Sequence, residues 1–193
     1  MIDPDLLLHG YRLGVFPMAM ESGEIRWFSP DPRTILPLDS FHVPHGLKRE
    51  RRRHALEIRI NTRFEEVIRA CASRAETWIN EEIIQSYLNL YSLGWSHSVE
   101  TWSGEELVGG LYGVAIGGAF FGESMFHRVS GASKIALWAL VEHLRACRFI
   151  LLDTQWMTPH LEQFGAQEIP RKLYLHLLAE AVELPRNFLD KSG

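Results

Sequence analysis

The chain has 193 residues, 46% apolar and 23% charged, with a formal net charge of −4. That is enough for one sizeable core with a small appendage, and no apolar run approaches the roughly 18 residues that a membrane span requires. The start, MIDPDLLLHGYRLG, has no basic stretch ahead of its apolar residues, so no secretory leader is expected and the chain reads as soluble and cytoplasmic.

Asp3 and Pro4 open a short helix through Leu6 to Tyr11 that stops near Gly14. The following VFPMAMESGEIRWFSPDPR is rich in Pro, Gly and aromatics and reads as a loop, a short strand and a turn. It sets off residues 1–33 as a small N-terminal subdomain from a main domain over 34–193. Lys48, Arg49, Arg51, Arg52 and Arg53, with Glu50 among them, carry net +4 and leave −8 for the remainder. Such a cluster is either a nucleic-acid patch or a solvated helix face.

Ala55 to Ile60 alternates as a strand. Asn61 or Thr62 is placed to cap a helix over Arg63 to Ala72, and Asn80 to cap Glu81 to Leu93, with Gly94 as its stop. Three strand-like runs, Ser98 to Trp102, Leu107 to Ala115 and Ala119 to Phe126, are joined at Ser103-Gly104 and Gly117-Gly118 and read as a meander. Ser133 to Cys147 has helical periodicity with a broad apolar face; Phe149 to Asp153 reads as a buried strand, and helices near Pro159 to Phe164 and Arg171 to Val182 close the chain. Cys71 and Cys147 show no CxxC or Cys/His spacing, which favours structural thiols over a disulfide or a zinc site. The class is α+β; pattern alone does not choose among α+β arrangements.

Two carboxylates interrupt apolar runs. Glu123 is flanked by Phe120, Phe121, Met125 and Phe126, and Asp153 follows Phe149 to Leu152. A buried charge costs several kcal/mol, on the order expected for interior ions, unless it is paired, so both are candidate site residues. In an extended segment positions i and i+2 share a face, so Asp153 and Gln155 are expected to address one point.

The strings FP (Phe16, Pro17), WFSPDPR, TWI, HSVETW, LVGGLYGV, FFGESMF, ASK, LLDTQ, HLEQFGA and IPR occur in the order and spacing of the leucyl/phenylalanyl-tRNA protein transferases, which the chain resembles from about Tyr11 to about Ala181. The resemblance implies a GNAT-like acyltransferase core of mixed sheet and flanking helices, with a small N-terminal subdomain. It implies transfer of leucine or phenylalanine from a charged tRNA to the α-amino group of proteins beginning with Arg or Lys, an N-end-rule activity that marks them for degradation.

By the same resemblance Asp153 and Gln155 match the pair at the acceptor's α-amino group, and Glu123 the carboxylate that selects its cationic residue. Trp78 matches a Trp near the terminal adenosine, and Met18 stands where the family commonly has a second one. Leu111, Phe120, Gly122, Met125, Leu140, Leu144 and Leu152 match the pocket for the apolar side chain. Lys48, Arg49, Arg51, Arg52 and Arg53 become the tRNA patch. His127 replaces a common Ser. No metal or cofactor is implied, and a monomer is expected.

Two rivals are an acyl-CoA-dependent N-acyltransferase and a non-catalytic RNA-binding module. The first needs a glycine-rich loop at a helix N-terminus, where HRVSGAS has only Gly131; the second leaves Glu123, Asp153 and Gln155 unexplained.

Overall fold

A computed structural model describes residues 1–74 and 77–190. The core is a seven-stranded mixed sheet of order β4-β5-β6-β7-β8-β3-β9, built from β3 (Arg33–Ile35), β4 (Leu56–Ile60), β5 (Ser96–Ser103), β6 (Glu106–Ile116), β7 (Ala119–His127), β8 (Leu151–Gln155) and β9 (Gln167–Ile169). All neighbours are antiparallel except β7 and β8, which the helix α5 (Ala132–Ala146) joins as a parallel pair. The meander predicted between 98 and 126 is the centre of this sheet, and the α+β class is the one observed. Strands β3 and β9, three residues each, carry too little pattern to be read from sequence.

Side chains alternate between two apolar layers. Phe120 and Leu152 point toward α5, whose Ile135, Ala136, Leu140 and Leu144 pack there with Phe188 of the C-terminal tail. Phe121 and Leu151 point to the opposite layer, with Leu7 and Tyr11 of α1 (Pro4–Arg12), Val67 and Ile68 of α3 (Phe64–Ala72), Ile83 and Tyr87 of α4 (Glu81–Ser92), and Tyr174 and Leu178 of α7 (Arg171–Val182). Residues 1–33 thus contribute α1 and a separate two-stranded sheet, β1 (Phe16–Ala19) with β2 (Ile25–Phe28), while Leu7, Tyr11 and Phe16 share the apolar cluster of the main sheet.

The caps at Asp3 and Asn80 form as expected: Asp3 accepts from the amides of Asp5 and Leu6, and Asn80 from that of Ile83. The cap on α3 does not. Instead of Asn61 or Thr62, the fully buried Glu100 of β5 accepts from the amides of Thr62 (2.9 Å) and Arg63 (2.8 Å), the Ser98 hydroxyl and the Trp102 indole. A carboxylate at a helix N-terminus satisfies orphan amides and complements the helix dipole. Asn61 is diverted to Ser98 and His97.

Two irregularities open the sheet. The β6–β7 register shifts between Tyr112 and Gly113, pairing Tyr112 with Ser124 and Gly113 with Gly122. Glu123 is therefore the extra residue of a β-bulge, which kinks the strand and re-aims its side chain. The layers record the flip: Phe121 and Phe126, of opposite parity, fall on the same face, while Phe120 and Met125 fall on the other. Gly113 is required here, because a Cβ would overlap the Phe121 carbonyl and the Phe120 ring. Strand β8 stays beside β7 only from Leu151 to Asp153; beyond Phe121 the two separate.

Candidate active site

A cavity of about 680 Å³ lies in that gap. Its floor comes from β6 and β7 (Leu111, Tyr112, Gly122 to Arg128), one wall from α5 (Ser133, Leu137, Leu140), and another from β8 and the segment C-terminal to it (Leu152, Thr154 to Trp156, Thr158, His160, Leu161). Met18, Ala70, Ser73, Arg74 and Trp78 complete it. Glu123 is the one carboxylate among the described lining residues.

Glu123 is 8% exposed and held by three donors: Tyr11 Oη to Oε1 at 2.7 Å, Gln155 Nε2 to Oε1 at 3.1 Å, and Tyr87 Oη to Oε2 at 3.2 Å. The two tyrosine hydroxyls also hydrogen-bond each other. Burial, with help from the charge of Asp153, pushes the Glu123 carboxyl up to about 7 against the pull of these hydrogen bonds. Burial and the Glu123 charge hold both tyrosines well above their ordinary range, so they remain donors. The cations Arg128 and Lys134 are engaged elsewhere: Arg128 donates to the Leu107 carbonyl and Lys134 to Gln163.

Asp153 does not line this cavity. It is fully buried, and four donors occupy its oxygens: Arg33 Nε (2.9 Å) and the Gln155 amide (2.9 Å) on Oδ1, Arg33 Nη2 (2.6 Å) and Tyr174 Oη (2.8 Å) on Oδ2. Arg33, also fully buried, donates to the Gly14 carbonyl and lies between the rings of Phe16 and Tyr174. The expectation that carboxylate and amide converge on one point fails because Gln155 adopts φ +67°, which ends the extended run. That conformation costs a non-glycine residue roughly 1–2 kcal/mol, and the Asp153 hydrogen bond to its amide opposes the cost. The result is a relay: Arg33 fixes Asp153, Asp153 fixes the Gln155 backbone, and the Gln155 side chain reaches Glu123.

Of the other predicted residues, Met18, Trp78, Leu111, Gly122, Met125, Leu140 and Leu152 line the cavity, whereas Phe120 and Leu144 do not. Phe120 is stacked beneath Phe188, and Leu144 sits one helical turn beyond Leu140, in the core. Lys48, Arg49, Arg51, Arg52 and Arg53 occupy α2 (Leu47–Arg53) beside α5, with Lys48 and Arg51 over the Trp138 ring of α5. Unforeseen in the sequence were Tyr11, Tyr87, Arg33 and Tyr174, and the lining residues Arg74, Leu137, Trp156 and His160. Trp156 is 40% exposed, lines the cavity as Met18 does, and packs edge-on against Phe16 and Phe28. Its place directly after LLDTQ was the signal available for it. Among the described residues, no group of three or more His, Cys, Asp or Glu is placed to hold a metal, and no helix is long and apolar enough to cross a membrane.

A family model described as leucyl/phenylalanyl-tRNA protein transferase matches residues 35–179, and one for the N-terminal domain of the same family matches residues 1–31. A leucyl/phenylalanyl-tRNA–protein transferase of Akkermansia muciniphila is 54% identical over 94% of this chain and 97% of its own length. One from Herpetosiphon aurantiacus is 53% identical over 97% and 98%. A solved structure from Staphylococcus epidermidis, described as a functionally unknown conserved protein, aligns over 88% of this chain and 65% of its own with 13% identity and a TM-score of 0.46.

Proposed function

The chain belongs to the leucyl/phenylalanyl-tRNA protein transferase family, and on that premise we propose that it moves leucine or phenylalanine from a charged tRNA to the α-amino group of proteins beginning with Arg or Lys, marking them for N-end-rule degradation. The single observation that carries the assignment of residues is the pairing of Gln155 with Glu123, the one carboxylate among the described residues of the cavity. A GNAT-like core fits the parallel pair β7 and β8 that separates over the cavity. A charged-tRNA donor argues for action in the cytoplasm.

The ester of an aminoacyl-tRNA is already activated, so the protein's task is to hold a neutral amine against the carbonyl and to steady the developing charge. The amine nitrogen forms the new C–N bond, the ester C–O bond breaks, and the amine proton leaves with the ribose oxygen. Gln155, whose Nε2 is committed to Glu123, offers Oε1 to the incoming amine. An ionised Glu123 draws the positive N-terminal residue of the acceptor by charge-assisted hydrogen bonding. Asp153 and Arg33 do not touch the reactants; they position Gln155.

Leu111, Met125, Leu137, Leu140 and Leu152 form an apolar pocket suited to a side chain unbranched at Cβ, and the Met125 thioether adapts to both leucine and phenylalanine. Trp78 and Trp156 offer faces for the terminal base, where stacking is worth about 1–3 kcal/mol. The cations of α2 meet phosphates of the acceptor arm. Labelled leucyl-tRNA incubated with an Arg-starting peptide tests the proposal: label should move to that peptide and not to one starting with Asp. Absence of transfer, or acylation from acetyl-CoA instead, would overturn it.

A further inference from the structure

The Glu123 side of the cavity is satisfied by its own hydrogen bonds, whereas the far side holds a buried imidazole nitrogen that is not. His127 lies four positions beyond Glu123, roughly 13 Å along β7, and there the lining includes His127, Arg128, Ser133, Thr158 and His160. His127 Nδ1 lies 3.5 Å from the Ser133 hydroxyl. His160, on the short helix α6 (Pro159–Glu162), has its Nε2 buried without a hydrogen-bond partner among the described residues. Lys134 stands close by with its ammonium on Gln163. Burial first, and then the positive neighbours Lys134 and His127, depress the His160 pKa.

A cluster of cations, hydroxyls and an orphaned imidazole nitrogen is short of negative charge. The nearest described acids do not supply it inside the cavity: Glu162 faces solvent, and Glu50 reaches Gly131 from the α2 side. That Glu50 contact also shows that α2 adjoins the first turn of α5. The positive end of the cavity is therefore next to the Lys48 to Arg53 cluster, and a polyanionic strand leaving the cavity here would run onto that cluster.

We propose that His127, Arg128, Ser133, Thr158 and His160 form a phosphate subsite, which takes the 5′-phosphate of the terminal nucleotide of the aminoacyl-tRNA. The proposal rests on the transferase reading and adds to it the point where the RNA backbone enters the site. An imidazole with no protein partner gains one in the phosphate oxygen, and charge-assisted hydrogen bonds of this kind are about twice as strong as neutral ones.

The test uses non-hydrolysable leucyl-adenosine amide with and without a 5′-phosphate, titrated calorimetrically into the full chain. In the wild type the phosphate should tighten binding about tenfold. In a His127→Ala/His160→Ala variant the gain should fall below twofold, while removal of the exposed His176 of α7 leaves it unchanged. A His127→Gln/His160→Gln variant, which keeps most of the side-chain volume, serves if the alanine pair fails to fold; its gain should fall below threefold. No gain from the phosphate in the wild type, or a full gain in a folded double variant, overturns the subsite. Failure of the underlying transferase reading would show differently, as no transfer from leucyl-tRNA to an Arg-starting peptide.

Discussion

Removing the charge from Asp153 alone and removing it together with that of Arg33 should have opposite outcomes. The two groups form a bidentate pair at 2.6 and 2.9 Å with both side chains about 1% exposed. Breaking such a pair from one side strands a buried charge and costs about 3–5 kcal/mol. For a chain of this size 1 kcal/mol corresponds to about 2–4 °C, so Asp153→Asn should lower the melting temperature by roughly 6–20 °C. The Arg33→Met/Asp153→Asn variant leaves no charge behind. Met can pack between Phe16 and Tyr174, and the Asn carbonyl can still accept from the Gln155 amide, so stability should return to within about 1–2 kcal/mol of wild type, as expected when a buried ion pair is replaced whole. If Asp153 only positions Gln155, transfer from leucyl-tRNA by this double variant should lie within about tenfold of wild type. Urea unfolding and a peptide-transfer assay on the same preparations decide it. A double variant as stable as wild type but more than a hundredfold slower would refute the positioning role and make the Asp153 charge a participant in the chemistry.

Glu123 gives a pH signature: its folded pKa of about 7 lies above the ordinary glutamate value of 4.5, so its contribution to stability is fully present below about pH 4.5 and is lost as pH rises through about 7. Glu123→Gln should therefore gain about 2–4 kcal/mol on wild type between pH 5 and pH 8, read by urea unfolding, and wild-type KM for an Arg-starting peptide should fall over the same interval while that of the variant stays flat. Leu140→Trp, in the pocket wall, should reduce use of phenylalanyl-tRNA more than leucyl-tRNA; Leu144→Trp should instead overpack the core, costing about 1–3 kcal/mol without changing that ratio. Replacing Arg49 and Arg52, both exposed on α2, by Ala should flatten the slope of log affinity for tRNA against log salt by about 1.4–1.8; an unchanged slope would make the cluster a solvated helix face.

What the sequence disclosed was what is local. Turns at Ser103-Gly104 and Gly117-Gly118, the caps at Asp3 and Asn80, and the periodicity of α5 are written in neighbouring residues, and so was the oddity of a Glu within FFGESMF. What it withheld is what depends on distant partners. Arg33 lies 120 residues from Asp153, so Asp153 read as available when its charge is in fact fully engaged. Glu100 caps a helix that begins 36 residues before it in the chain, and its strand-like surroundings gave no hint of that. The bulge at Glu123 left no trace either: both faces of the sheet are buried, so Phe120-Phe121 and Met125-Phe126 fit an unbroken alternation as well as a bulged one, and only the pairing with β6 reveals the extra residue. Phe120 and Leu144 were misplaced because family position says which residues are apolar neighbours of a pocket, and only the packing of α5 and Phe188 says which of them reach its surface.

The hydrogen bonds that define the site join Tyr11 to Glu123 and Arg33 to both Asp153 and Tyr174, spanning 112, 120 and 141 residues. No contiguous fragment shorter than residues 11–174 contains all the partners, so a polypeptide still emerging from the ribosome has no working site until Tyr174 has been made and docked. Contacts of such range form late and slowly. On the proposed function, an enzyme that marks its products for proteolysis would thus become active only once almost its whole length has been synthesised and folded, and a prematurely terminated copy would be inert rather than unregulated.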